Sequence, residues 1–107
     1  MGLQVEYTPT FKRTFKMIFD CGLVRYSNKT LNSLSKRIVQ CKTDLSLQPY
    51  IGAPEPLLYG ETLQYRYIVI KPYFKLIYTV YDDVVYFSAV WDTRQSPETL
   101  VRNMEEG

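Results

Sequence analysis

Apolar and polar residues change period along this chain. Leu3-Gln4-Val5-Glu6-Tyr7 alternates, the period of a half-buried strand. The spacing then lengthens, so that Phe11, Phe15, Ile18 and Phe19 fall on one helical stripe with Lys12, Arg13 and Lys16 opposite. Thr8-Pro9 supplies an N-cap and a proline at the first helical position, and Gly22 a stop. A second helix is predicted from Ser27 or Asn28, where Leu31, Leu34, Ile38, Cys41 and Leu45 recur at alternating threes and fours. Two such stripes predict an αα-hairpin laid on a sheet.

The segment Gln48 to Thr62 carries Pro49, Gly52, Pro54, Pro56 and Gly60, which reads as an irregular loop that no interior strand accommodates. β-rich runs follow at about Gln64 to Ile70, Phe74 to Val80 and Val84 to Trp91, joined by turns at Lys71-Pro72-Tyr73 and Tyr81-Asp82-Asp83. Ser96-Pro97 repeats the cap-plus-proline signal, so Pro97 to about Met104 is predicted as a short terminal helix. The order β-α-α-β-β-β gives an α+β fold: an antiparallel sheet of three to four strands with the hairpin on one face. With 107 residues and no internal repeat, residues 1–107 are expected to form a single domain.

Composition narrows the chemistry. There is no histidine, which removes Ser-His and Cys-His nucleophiles and His-containing zinc sites, and Cys21 and Cys41 cannot make a thiolate site alone. No metal or cofactor is therefore expected, and both cysteines read as buried free thiols of a reducing cytoplasm. No run of about eighteen apolar residues exists to span a membrane. Glu6 and the lack of an apolar h-region argue against a secretory signal, and Glu6 also breaks a myristoylation motif. Net charge is +2, unevenly spread. Residues 1–47 hold eight Lys and Arg against three Asp and Glu, and residues 48–107 hold five against eight. A basic helical half suits an anionic partner, although solvated helix charge gives the same pattern.

The element order, the Thr8-Pro9 helix start, Tyr65-Arg66, Leu76-Ile77-Tyr78-Thr79-Val80 and the ending Trp91-Asp92-Thr93-Arg94-Gln95-Ser96-Pro97 resemble the RelE/ParE superfamily of bacterial type II toxins. The ending is similar to that of the plasmid-stabilisation branch. The resemblance implies a cytoplasmic, growth-inhibiting toxin held by the C-terminal segment of a cognate antitoxin in a hetero-oligomer. RelE-like members cleave mRNA on the ribosome with a cluster of Lys, Arg and Tyr; ParE-like members poison DNA gyrase without one. Cleavage through a 2′-hydroxyl needs a base, an acid and cations for the phosphate. Carried onto this chain, the RelE pattern falls on Arg66, Lys75 and Arg94, with Ile68 in place of a lysine and no tyrosine in the tail. Arginine is a poor base. The expectation is therefore a ParE-like gyrase poison, with a ribosome-dependent endoribonuclease using Arg66, Lys75 and Arg94 as the alternative.

Register decides which of these side chains meet. A turn of two or four residues around Pro72-Tyr73 would put Arg66, Ile68, Ile70, Lys75, Ile77 and Thr79 on one open face, suited to an antitoxin segment or target. A three-residue turn breaks that arrangement. Arg94 joins this face as a further binding candidate, or ties the tail down through Asp92. Tyr78 is expected in the core.

Overall fold

Thr8 organises the first part of the fold. It ends strand β1 (Gln4–Tyr7) and starts helix α1 (Pro9–Asp20), its hydroxyl accepting the Phe11 N–H at 3.1 Å. The same hydroxyl lies 3.2 Å from the carbonyls of Phe87 and Ser88, pinning the helix start to the sheet. The computed structural model describes residues 2–20 and 26–106. The expected stop at Gly22 and Cys21 lie outside the described residues. Helix α2 (Asn28–Leu47) starts at Ser27, whose side chain accepts the Thr30 N–H, and buries Leu31, Leu34, Ile38, Cys41 and Leu45, the whole predicted seam. Cys41 is a free thiol, its pKa pushed up by burial.

The sheet continues through β2 (Ala53–Pro54), β3 (Tyr65–Ile70), β4 (Phe74–Tyr81) and β5 (Val84–Asp92), and helix α3 (Pro97–Glu106) closes the chain. It has five strands in the order β1-β5-β4-β3-β2. The α+β class and the hairpin-plus-meander order agree with the sequence reading, but the sheet is larger and not purely antiparallel. β1 pairs parallel to β5, from Gln4↔Val84 to Tyr7↔Phe87. A parallel pair needs a long crossover, supplied here by α1, α2 and the rest of the sheet. The other correction is β2, which sits inside the proline-rich segment; Pro54 is tolerated because β2 is an edge strand.

Turn lengths set the faces. Asp82 and Asp83 both have positive φ, 52° and 60°, as a two-residue type I′ hairpin requires. The Lys71-Pro72-Tyr73 turn has three residues, so Ile70 pairs with Phe74 and Val69 with Lys75. Ile68, Ile70, Phe74, Leu76 and Tyr78 consequently face α1 and α2, together with Val85, Phe87 and Val90 of β5. Ser88 is an extra residue in β5, a bulge between the pairs Ile77↔Ala89 and Tyr78↔Phe87. The opposite face is not open across its width. Leu58, from a 3₁₀ turn at Pro56–Leu58, and Leu100 of α3 close over Ile77, Ala89 and Trp91 as a second core. No described helix is long and apolar enough to cross a membrane.

Candidate functional site

The three cations singled out in the sequence do not converge. Arg66 lies on β3 opposite Tyr78, on the helix side of the sheet. Its guanidinium donates to the Gly52 carbonyl at 2.8 Å and stands 5.1 Å over the Tyr50 ring. Tyr78 is fully buried; its hydroxyl donates to the Pro49 carbonyl at 2.8 Å and accepts the Gly52 N–H at 2.9 Å. Arg66 and Tyr78 thus fasten the segment after α2 to the sheet. Gly52 is needed there, because a Cβ would lie 2.6 Å from the Tyr78 hydroxyl.

Lys75 is on the other face. Its ammonium is 3.2 Å from a carboxylate oxygen of Glu55, whose side chain is wholly buried, and 4.1 Å over the Tyr67 ring. Glu55 also accepts the Leu57 N–H, capping the 3₁₀ turn. Lys75 is therefore neutralised by a buried partner and holds the proline-rich segment down. Beside it, the Trp91 indole N–H is buried without a hydrogen-bond partner among the described residues. Glu55 carried no assignment in the sequence reading, and its signal was the acid in Pro54-Glu55-Pro56, a cap before proline.

Arg94 occupies the end of the sheet, where β5 finishes and the Lys71–Tyr73 turn comes round. Asp92, 5% exposed, receives the Arg94 Nη2–H at 2.8 Å, the Arg94 Nε–H at 3.1 Å and the Arg94 backbone N–H at 2.9 Å. The Tyr26 hydroxyl donates to the same carboxylate at 2.7 Å. The guanidinium lies 3.6 Å over the Tyr73 ring, and the Tyr73 carbonyl accepts the Thr93 N–H and hydroxyl. Burial pushes Asp92 towards the neutral form, but the hydrogen bonds from Arg94 and Tyr26 outweigh it and hold the carboxyl below its usual range. Burial first, then Asp92, pushes the Tyr26 phenol up to about 12. A cleft of about 270 Å³ opens alongside, between Thr14, Tyr26, Asp92 and Asn103. Here a charged group is fixed in place and still reachable, with the Arg94 side chain 53% exposed. Neither Tyr26 nor Tyr73 was singled out for this role, since the contacts cross from the end of the helical hairpin to the end of the sheet.

The expected open face is therefore corrected. Arg66, Ile68 and Ile70 lie on the helix side, and Lys75 and Ile77 on the other. Ile70 and Ile77 are buried and offer nothing to a partner. Exposed apolar side chains include Val69 on β3, Tyr50 and Ile51 after α2, and Val39 and Leu47 on α2, the last two beside a groove of about 650 Å³ shared with Leu3 and Val5 of the N-terminal edge. Among the described residues no three acidic or cysteine side chains cluster closely enough to hold a metal ion.

No protein-family model matches the chain, and no curated protein matches it in sequence. Solved structures do. A chain of the E. coli DinJ-YafQ toxin-antitoxin complex superposes with a TM-score of 0.57 at 17% identity, covering 88% of this chain and 96% of that one. This chain shares the fold of YafQ. A second structure of the DinJ-YafQ complex gives 0.56 at 20% identity, and YafQ of E. coli strain BL21(DE3) gives 0.52 at 18%, each covering 86% of this chain and 94% of the other. The YafQ-like part is thus nearly the whole chain, with the Arg94 cluster as its best-formed exposed charged site.

Proposed function

We propose that this chain is the toxin of a type II toxin–antitoxin pair, and that it acts as a RelE-like endoribonuclease on ribosome-bound mRNA. The observation that carries the reading is the YafQ-like fold over almost the full length of both chains. That likeness favours the RelE-like alternative over the ParE-like one reached from sequence. Arg94 is the residue assigned to substrate: a stacked, exposed guanidinium suits a phosphodiester. Arg66 and Lys75 are assigned to the scaffold, because the Arg66 guanidinium is engaged by the Gly52 carbonyl and the Tyr50 ring and the Lys75 ammonium is neutralised by Glu55.

The gyrase reading keeps one observation in its favour. Arg66, Lys75 and Arg94 stand on different parts of the sheet, and the chain has no histidine, so acid–base groups typically worth about 10²- to 10⁴-fold each are not gathered at one point. The two readings part in one experiment. Induction without the partner gene is expected to arrest growth, with mRNA cuts seen by primer extension and supercoiling undisturbed. Arrest with intact mRNA and inhibited gyrase selects the second reading. Unimpaired growth with folded protein overturns both.

A further inference from the structure

Asp92 leaves Arg94 with a defined free edge. A guanidinium carries five N–H donors in a planar fork. The Nε–H and one Nη2–H are given to Asp92, and the guanidinium lies over the Tyr73 ring. Apart from the nearby Tyr26 hydroxyl, the remaining N–H groups have no protein partner among the described residues, and the side chain is about half exposed. The carboxylate that holds the fork is itself fixed by the Tyr26 hydroxyl, which donates to Oδ2, the oxygen that also accepts the Arg94 Nη2–H. The Tyr26 ring packs 5.5 Å from buried Phe74 and 6.1 Å from Tyr73. An unrestrained arginine would lose side-chain freedom on meeting its ligand, which weakens binding by about two- to tenfold. This one has given it up in the folded chain.

We infer that Tyr26, Asp92 and Tyr73 are positioning residues that pre-set the free edge of Arg94 for the phosphodiester of single-stranded RNA. The inference rests on the ribonuclease reading and adds to it how the contact is made. Asp92 and Arg94 together are neutral, so the site recognises phosphate by geometry more than by net charge. Replacing Asp92 with asparagine removes one negative charge while loosening the fork.

The test uses the full chain and a short oligouridylate. In the wild type the Arg94 Nε–H is expected as a separate, slowly exchanging NMR signal, and oligouridylate is expected to bind. Arg94→Ala should weaken that binding about tenfold or more. Tyr26→Phe and Tyr73→Leu should weaken it about two- to tenfold and speed Nε–H exchange, with Tyr73→Phe recovering most of the loss. Asp92→Asn removes the carboxylate that holds the fork, so it should weaken oligouridylate binding about two- to tenfold and speed Nε–H exchange although the net charge of the site rises. Tighter binding than wild type would overturn the inference. A fast-exchanging Arg94 Nε–H in the wild type overturns the inference. So does a wild type that binds no oligouridylate, or Tyr26→Phe and Tyr73→Leu binding like wild type while Arg94→Ala does not. The ribonuclease reading itself stands or falls separately, on mRNA cuts after induction.

Discussion

Glu55 has its carboxylate completely buried, with the Lys75 ammonium 3.2 Å away and only 21% exposed. Removing one partner of such a pair leaves an uncompensated charge in the interior, so Lys75→Ala is expected to destabilise by about 3–5 kcal/mol. The double change Glu55→Gln with Lys75→Met should recover much of that, and urea unfolding of the three chains measures the difference. The Arg94 cluster makes a prediction in pH. Asp92 is lowered in the folded chain, so its contribution is present above the ordinary carboxyl value of about 3.9 and is lost as pH falls through the lower folded value. Tyr26 is raised to about 12, so its contribution is complete below the ordinary phenol value of about 10 and is lost as pH climbs towards 12. Tyr65 and Tyr78, raised by burial, share the alkaline loss. Urea midpoints across pH are expected to show both limbs, with Tyr26→Phe removing part of the alkaline one. At this scale the sequence named Arg66, Lys75 and Arg94 and paired Arg94 with Asp92, as the structure has it, but it did not give the partners of Arg66 and Lys75 or the Tyr26 hydroxyl that joins Asp92. Glu55 is twenty residues from Lys75, and Tyr26 sixty-six from Asp92. No local pattern joins residues so far apart.

Elements were more legible than residues, because their signals are local. The Thr8-Pro9 and Ser27 caps, the α2 seam, the three meander strands and the terminal helix at Pro97 all stand where periodicity and capping put them. What periodicity could not give was the length of one turn. Three residues at Lys71-Pro72-Tyr73, rather than two or four, reverse which face Lys75 and Ile77 occupy relative to Arg66 and Ile68. It also could not say what α3 covers. Leu100 is fully buried against Ile77, Ala89 and Trp91, so the terminal helix is part of the second core rather than a loose tail. Leu100→Ala is expected to cost about 2–5 kcal/mol. Trp91 is the chain's single tryptophan, 6% exposed beside Leu100, so its fluorescence reports directly on α3. A red-shifted emission in Leu100→Ala at native conditions, with far-ultraviolet circular dichroism largely kept, is the expected result. An unshifted spectrum would mean α3 does not shield the indole.

For the whole molecule, the uneven charge and the exposed apolar side chains of α2 mark one surface suited to the antitoxin of the proposed pair. β1 is an edge strand, tied to α2 just before it where the Leu3 N–H donates to the Ser46 carbonyl and the Leu3 carbonyl accepts the Ser46 hydroxyl. The groove beside it runs under Val39 and Leu47 of α2, 68% and 66% exposed. Exposed apolar side chains beside an edge strand form a surface that an ordering segment can cover by strand addition and apolar contact together. Lys42 lines the same groove, within the half of the chain that carries the positive excess, so an acidic segment suits it. Arg94 lies at a different part of the molecule, at the end of β5 against Tyr73. Neutralisation and toxicity should then be separable by mutation. Val39→Asp and Leu47→Asp are expected to keep growth arrest while escaping rescue by the co-expressed partner, since surface changes of this kind usually cost less than about 0.5 kcal/mol of stability. Arg94→Ala is expected to do the reverse, losing arrest while still binding the partner. Growth curves with and without the partner gene, beside co-purification of the two chains, measure both. Rescue of Val39→Asp and Leu47→Asp as complete as for wild type would place the partner elsewhere on the fold.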